Sequence, residues 1–219
     1  MEMKKAYICN LINGIVILFS VIWMFSGILI GSKNAALTSA HWAMFKYYTV
    51  DSNVIMGIVA FILAVVEYKA YKEKKDSINP LFLVLKLIGV VGVTLTMMVT
   101  VCFLAPTFEN GWYTCFNNSN FFLHLLNPLL SIVTFCFFER TESIKFKHTI
   151  TGISSMVIYA IYYVANCAIH SSNNIIEPGY DWYGFFFMGL NSMYIVLPII
   201  FAVTYLFSFI LWKVNRVKR

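Results

Sequence analysis

Six long apolar runs decide what this chain can fold into. A helix rises about 1.5 Å per residue, so roughly 20 apolar residues cross the hydrocarbon core of a bilayer. Runs of that order are expected as spans over Tyr7–Ile30, Tyr48–Ala70, Leu81–Leu104, Asn117–Phe138, Thr149–His170 and Tyr183–Trp212. Only 12% of the residues are charged against 60% hydrophobic, about half the charge of a soluble domain. The expected fold is all-α: one integral membrane domain over residues 1–219, built as a bundle of six transmembrane helices. The first run is too long for the apolar region of a signal peptide, and no small-residue cleavage site follows it, so it is read as a retained span.

Lysine and arginine placement orients the bundle. Lys4 and Lys5, the loop with Lys69, Lys72, Lys74 and Lys75 (plus Lys86 just inside the third span), Arg140 with Lys145 and Lys147, and Lys213, Arg216, Lys218 and Arg219 all fall on one side. Only Lys33 and Lys46 fall on the other. Basic loops face the cytoplasm, so both termini are expected there, in a multi-pass protein of the cell membrane. The formal charge of +6 is accounted for by these flanks, and no nucleic-acid partner is expected. Membrane lipids are the expected surroundings. Glu67 and Glu139 end spans beside lysines on the basic side and read as structural.

The fourth span carries the most unusual residues. In NNSNFFLHLLNP, Asn117, Asn120, His124 and Asn127 recur at steps of three, four and three, which places them on one helical face. Pro128 has no amide hydrogen, so the carbonyl of His124 loses its helical partner. Polar groups at this depth must face other helices or water. The second span opens YYTVDSN, with Thr49, Ser52 and Asn53 at i, i+3 and i+4. Both spans start from the same side, so Thr49 and His124 lie at similar depth. A hydroxyl and an imidazole so placed are the minimum for an activated nucleophile. Asn120 or Asn127 is the candidate to fix the imidazole tautomer or to donate to an oxyanion, and Asp51 to orient the ring. His170, one turn beyond Asn166, is a further candidate site histidine. The alternative for all of them is helix association through hydrogen bonds worth about 1 kcal/mol each.

The segments YYTVDSN and NFFLHLLNP resemble the androgen-induced-gene and androgen-dependent tissue-factor-regulator family of six-span membrane proteins, including its bacterial relatives. Pro178, Tyr180, Trp182 and Tyr183 echo the family's tyrosine- and proline-rich approach to the last span. The resemblance implies an intramembrane threonine hydrolase that cleaves fatty acid esters of hydroxy fatty acids. It implies Thr49 as nucleophile and His124 as base, with no metal and no cofactor. The substrate would be a lipid or acyl ester. The other class open to the sequence is a small membrane carrier or a non-catalytic lipid- or small-molecule-binding protein. The four histidines have no zinc-ligand spacing, and no phosphate loop or G-x-S-x-G elbow occurs. Cys102, Cys115 and Cys167 lie toward the non-basic side, where one pair among three is open to a disulfide if that side is oxidising, and Cys115 is a lesser nucleophile candidate.

Overall fold

The computed structural model describes residues 2–31, 36–141 and 143–216; Lys33, Lys218 and Arg219 therefore lie outside the described residues. Among the described residues six helices are long and apolar enough to cross a membrane: Met3–Ser26, Tyr48–Lys72, Pro80–Thr107, Ser119–Phe138, Phe146–Ile169 and Leu190–Asn215. They are called the first to the sixth helix below. The protein is an all-α, multi-pass membrane bundle.

Each helix turns its polarity inward. In the first, Ile8, Leu11, Ile15, Leu18, Phe19 and Ile22 face out, while Asn10, Asn13, Gly14, Ile17 and Ser20 face in. Lipid gives no advantage to burying an isoleucine, so association is driven by close packing and hydrogen bonds, which favours small and polar residues inside. The same division runs along the sixth helix, where Tyr194, Ile195, Ile199, Leu206 and Ile210 are exposed and Thr204, Ser208 and Asn215 are buried.

Gly57 shows how close the first two helices come. A Cβ placed there would lie 2.8 Å from Cγ2 of Ile17. Gly57→Ala is expected to cost about 1–3 kcal/mol, as overpacked sites do. Ile17→Ala removes the obstructing methyl, so the double variant should cost less than the sum of the two singles. Thermal melts in detergent measure this, and additive losses would show that the two side chains do not meet.

One end of the bundle gathers both chain ends. The Glu2 amide donates to the Phe138 carbonyl at 3.3 Å. The Asn215 side chain donates to the carbonyls of Phe135 at 2.6 Å and Glu139 at 3.0 Å, and its oxygen accepts the Thr141 amide at 3.3 Å. This is called the basic end, after Lys4, Lys5, Arg140 and Lys213.

The opposite end is closed by ordered loops. A 3-10 turn covers His41–Lys46 and a short helix covers Gly111–Cys115. Between the fifth and sixth helices, Ser171–Ser172 pairs with Ile175–Ile176 as a small hairpin. Its turn residues Asn173 and Asn174 have φ of 51° and 67°, the left-handed pair that a two-residue turn matching strand twist requires. The sixth helix begins at Leu190, not at Tyr183 as the apolar run suggests. Asp181 is the reason: its carboxylate accepts the amides of Phe185 at 3.1 Å and Phe186 at 2.9 Å, together with the Tyr163 hydroxyl. Those amides are then lost to a helix, and Gly189 at φ 81° turns the chain into the span.

Candidate functional site

The fourth helix widens where Pro128 was expected to disturb it. Residues Phe122–Leu126 form a π-helical turn closed by the Asn127 amide on the Phe122 carbonyl. In a turn of this width the amide missing at Pro128 is the one due to the Leu123 carbonyl, which accepts Asn53 Nδ2 at 3.1 Å instead, and such turns recur at functional sites. His124 sits inside it and is 1% exposed.

The extra residue in that turn breaks the expected single polar face into three directions. Asn120 points to the first loop, where its amide donates to the Leu37 carbonyl at 3.0 Å and its oxygen accepts the Leu37 amide at 3.1 Å. His124 points to the third loop, with Nδ1 3.0 Å from the Cys115 carbonyl. Asn127 points between helices, and donates to Ser20 Oγ at 3.0 Å and Asn53 Oδ1 at 2.9 Å. The tautomer of His124 is therefore set by a backbone carbonyl, not by Asn120 or Asn127. A carbonyl only accepts, so Nδ1 carries the hydrogen and Nε2 keeps a lone pair. The Cys115 carbonyl ends a short helix and has no helical partner, which is why it is free to accept. No side chain at Cys115 is needed for that bond, so the sequence holds no signal for it.

Thr49 lies in the first turn of the second helix and is 9% exposed. Its carbonyl accepts from Asn53 Nδ2 at 2.8 Å and from Ser52 Oγ at 3.2 Å. The same Asn53 nitrogen reaches the Leu123 carbonyl on the fourth helix at 3.1 Å. One amide nitrogen thus joins the backbone of Thr49 to that of the residue before His124. Among the described residues the Thr49 hydroxyl makes no hydrogen bond, to His124 or elsewhere. Asn117 lies just before the fourth helix, and its carbonyl accepts the Asn120 amide at 3.1 Å.

The remaining expected partners are placed elsewhere. Ser52 turns to the third helix, with Oγ 3.2 Å from Thr96 Oγ1; adjacent residues on a helix are about 100° apart, so Ser52 and Asn53 face different neighbouring helices. Asp51 does not orient His124. It is half-buried, and its electrostatic neighbours are Tyr48, Tyr159 and Tyr183. His170 belongs to the loop hairpin, stacked on Tyr180 at 3.5 Å with Nδ1 3.5 Å from Glu177. It does not join Thr49 or His124. All five cysteines are free.

Burial raises the thiol pKa of Cys115 above its usual value. A thiol that is both inaccessible and held protonated is a poor nucleophile. Iodoacetamide at neutral pH is expected to leave Cys115 unmodified in the folded protein and to label it on unfolding, as read by peptide mass spectrometry. Labelling of Cys115 in the folded protein would reopen its role as a nucleophile.

A second polar assembly occupies the basic end, at Asn10, Glu67, Lys86 and Glu139. Each is 0% exposed, which corrects the reading of Glu67 and Glu139 as boundary residues and of Lys86 as part of the loop group. Asn10 Nδ2 donates to Glu67 Oε2 at 2.8 Å and to Glu139 Oε1 at 2.6 Å, and its oxygen accepts from the Lys86 ammonium. Lys86 Nζ lies 3.6 Å from Glu139 Oε1. These four side chains come from the first three helices and from the residue that follows the fourth. Asn13, which donates to Ser131 Oγ at 2.8 Å, and the Ser20, Asn53 and Asn127 contacts extend a polar seam from here toward His124. The sequence signal was present: Asn10, Asn13 and Ser20 recur at helical spacing within the first apolar run. Compared with family models, curated proteins and solved structures, the chain matches none of them.

Proposed function

We propose that this chain is an intramembrane hydrolase of lipid acyl esters, with Thr49 as nucleophile and His124 as general base. The observation that carries this reading is His124 itself: an imidazole buried inside a spanning helix, with Nδ1–H given to the Cys115 carbonyl and, among the described residues, no hydrogen bond at Nε2. That is the protonation pattern a general base requires. In the proposed first step Nε2 takes the Thr49 hydroxyl proton as Oγ1 attacks the acyl carbonyl. The imidazolium then returns the proton to the departing alcohol, which leaves an acyl-threonine. Water, deprotonated by His124, releases the fatty acid and regenerates the hydroxyl. Asn120 is the proposed oxyanion donor: one of its amide hydrogens serves Leu37, whereas both of Asn127's are committed. The apolar cluster of Met24, Met44, Val50 and Leu123 beside the site suits an acyl chain arriving from lipid. The resemblance of YYTVDSN and NFFLHLLNP to the six-span threonine hydrolases supports the same assignment, with fatty acid esters of hydroxy fatty acids as the substrate class, a cell-membrane location and cytoplasmic termini.

The test is a fluorophosphonate hydrolase probe applied to wild type, Thr49→Ala and His124→Ala in detergent. Labelling in wild type alone, with all three melting as folded proteins, is the expected result. Undiminished labelling of Thr49→Ala would assign the reactive hydroxyl to another residue. The second reading, a small membrane carrier, is favoured by the buried charges at the basic end. It requires substrate-dependent flux in proteoliposomes, whereas the hydrolase turns over without a membrane gradient.

A further inference from the structure

The basic-end assembly has an unequal charge count. Glu67 and Glu139 offer two carboxylates, and Lys86 offers one ammonium, with all three side chains fully buried. Among the described residues the other ionisable side chains facing them are Cys9, near Glu67, Lys86 and Glu139, and, near Glu139, Cys136 and Arg140, which donates to the Cys136 carbonyl at 2.7 Å. An unbalanced charge away from water is expensive in protein and more so within a bilayer.

The hydrogen bonds show where the imbalance lies. Asn10 spends one amide hydrogen on each carboxylate, and the Lys86 ammonium occupies the position between Asn10 Oδ1 and Glu139 Oε1. Two buried acceptor oxygens remain without a partner, Glu67 Oε1 and Glu139 Oε2. The two carboxyl groups are nevertheless close together, because the single nitrogen Asn10 Nδ2 reaches both, at 2.8 Å and 2.6 Å. Two ionised carboxylates are both acceptors and cannot bond. A single proton removes the excess charge and supplies the missing donor.

We propose that Asn10, Glu67, Lys86 and Glu139 form a proton-binding site, in which Glu67 and Glu139 hold one exchangeable proton between them. Loading converts carboxylate and hydronium to carboxylic acid and water, and it changes the summed charge of Glu67, Lys86 and Glu139 from −1 to zero. The site is distinct from Thr49 and His124. It gives the bundle a proton-dependent state at its basic end whether or not the ester chemistry holds.

Infrared spectroscopy of the full-length protein in detergent tests this directly. Wild type at neutral pH should show the carbonyl stretch of a protonated carboxylic acid, shifted in D2O and shifted again by carboxyl-13C glutamate. Glu67→Gln and Glu139→Gln should each abolish it, because the surviving carboxylate is then balanced by Lys86. Lys86→Met should roughly double it, since two carboxyls then need two protons. A wild-type spectrum with no glutamate-labelled acid band overturns the proposal without reference to any variant's folding. So does a band that both glutamine variants retain.

Discussion

Thr49→Ala is expected to reduce ester hydrolysis by about a thousandfold or more, the scale on which loss of a nucleophile is felt. His124→Ala should lose about 10²–10⁴-fold, as loss of a general base does. The two residues act in one step, so the double variant should be little worse than the poorer single. Thr49→Ser keeps the hydroxyl and should retain much of the rate. The measurement is turnover of a fluorogenic long-chain acyl ester in detergent, with thermal melts to show that each variant folds. The structural consequence of Thr49→Ala is small by comparison. The Thr49 hydroxyl makes no hydrogen bond among the described residues, and its role in helix contact runs through its carbonyl, which alanine retains. Stability therefore separates from activity here, and a helix-joining role would not produce a selective loss of turnover. If Thr49→Ala keeps full hydrolysis while His124→Ala loses it, His124 activates something else, such as water, and the acyl-threonine is not formed.

The six helices were legible in the sequence because a run of about 20 apolar residues has few physical alternatives. His124 was legible for the same reason: a titratable side chain in such a run stands out. What the residues around it do was not legible. The step of three, four and three from Asn117 to Asn127 assumes 3.6 residues per turn, and the π turn at Phe122–Leu126 sends Asn120, His124 and Asn127 to different neighbours. The partner of His124 is a main-chain carbonyl, which no side-chain motif encodes. Asp51 and His170 have the right chemistry and the right end of the bundle, yet helix rotation and the Asn173–Asn174 turn carry them to the tyrosines and the loop hairpin.

Depth was the other gap. Glu67, Lys86 and Glu139 stand near lysine-rich loops, and one sequence cannot separate a side chain that reaches back to water from one that turns into the bundle. The partner that decides is Asn10, more than fifty residues away on the first helix. Its significance appears only once the helices are known to be neighbours.

Lys86→Met should therefore be far more damaging than a change at a boundary lysine. Lys86 is 0% exposed, donates to Asn10 Oδ1 and faces Glu139. Removing the ammonium leaves two carboxyl groups and an amide oxygen without their cation, and breaking a buried pair in this way costs about 3–5 kcal/mol. Lys72→Met, at the exposed end of the second helix, should stay within about 0.5 kcal/mol of wild type. Adding Glu139→Gln to Lys86→Met removes one of the stranded carboxyls, so the double variant should recover part of the loss and show a coupling of about 0.5–3 kcal/mol. Denaturant or thermal unfolding in one detergent gives all four values. Equal losses for Lys86→Met and Lys72→Met would mean that Lys86 reaches water, and the buried assembly would then not exist in the folded protein. A large loss without coupling to Glu139 would mean that the ammonium serves Asn10 alone. Coupling with a large loss requires the charges to meet inside the bundle, and only that arrangement forces Glu67 and Glu139 to share a proton.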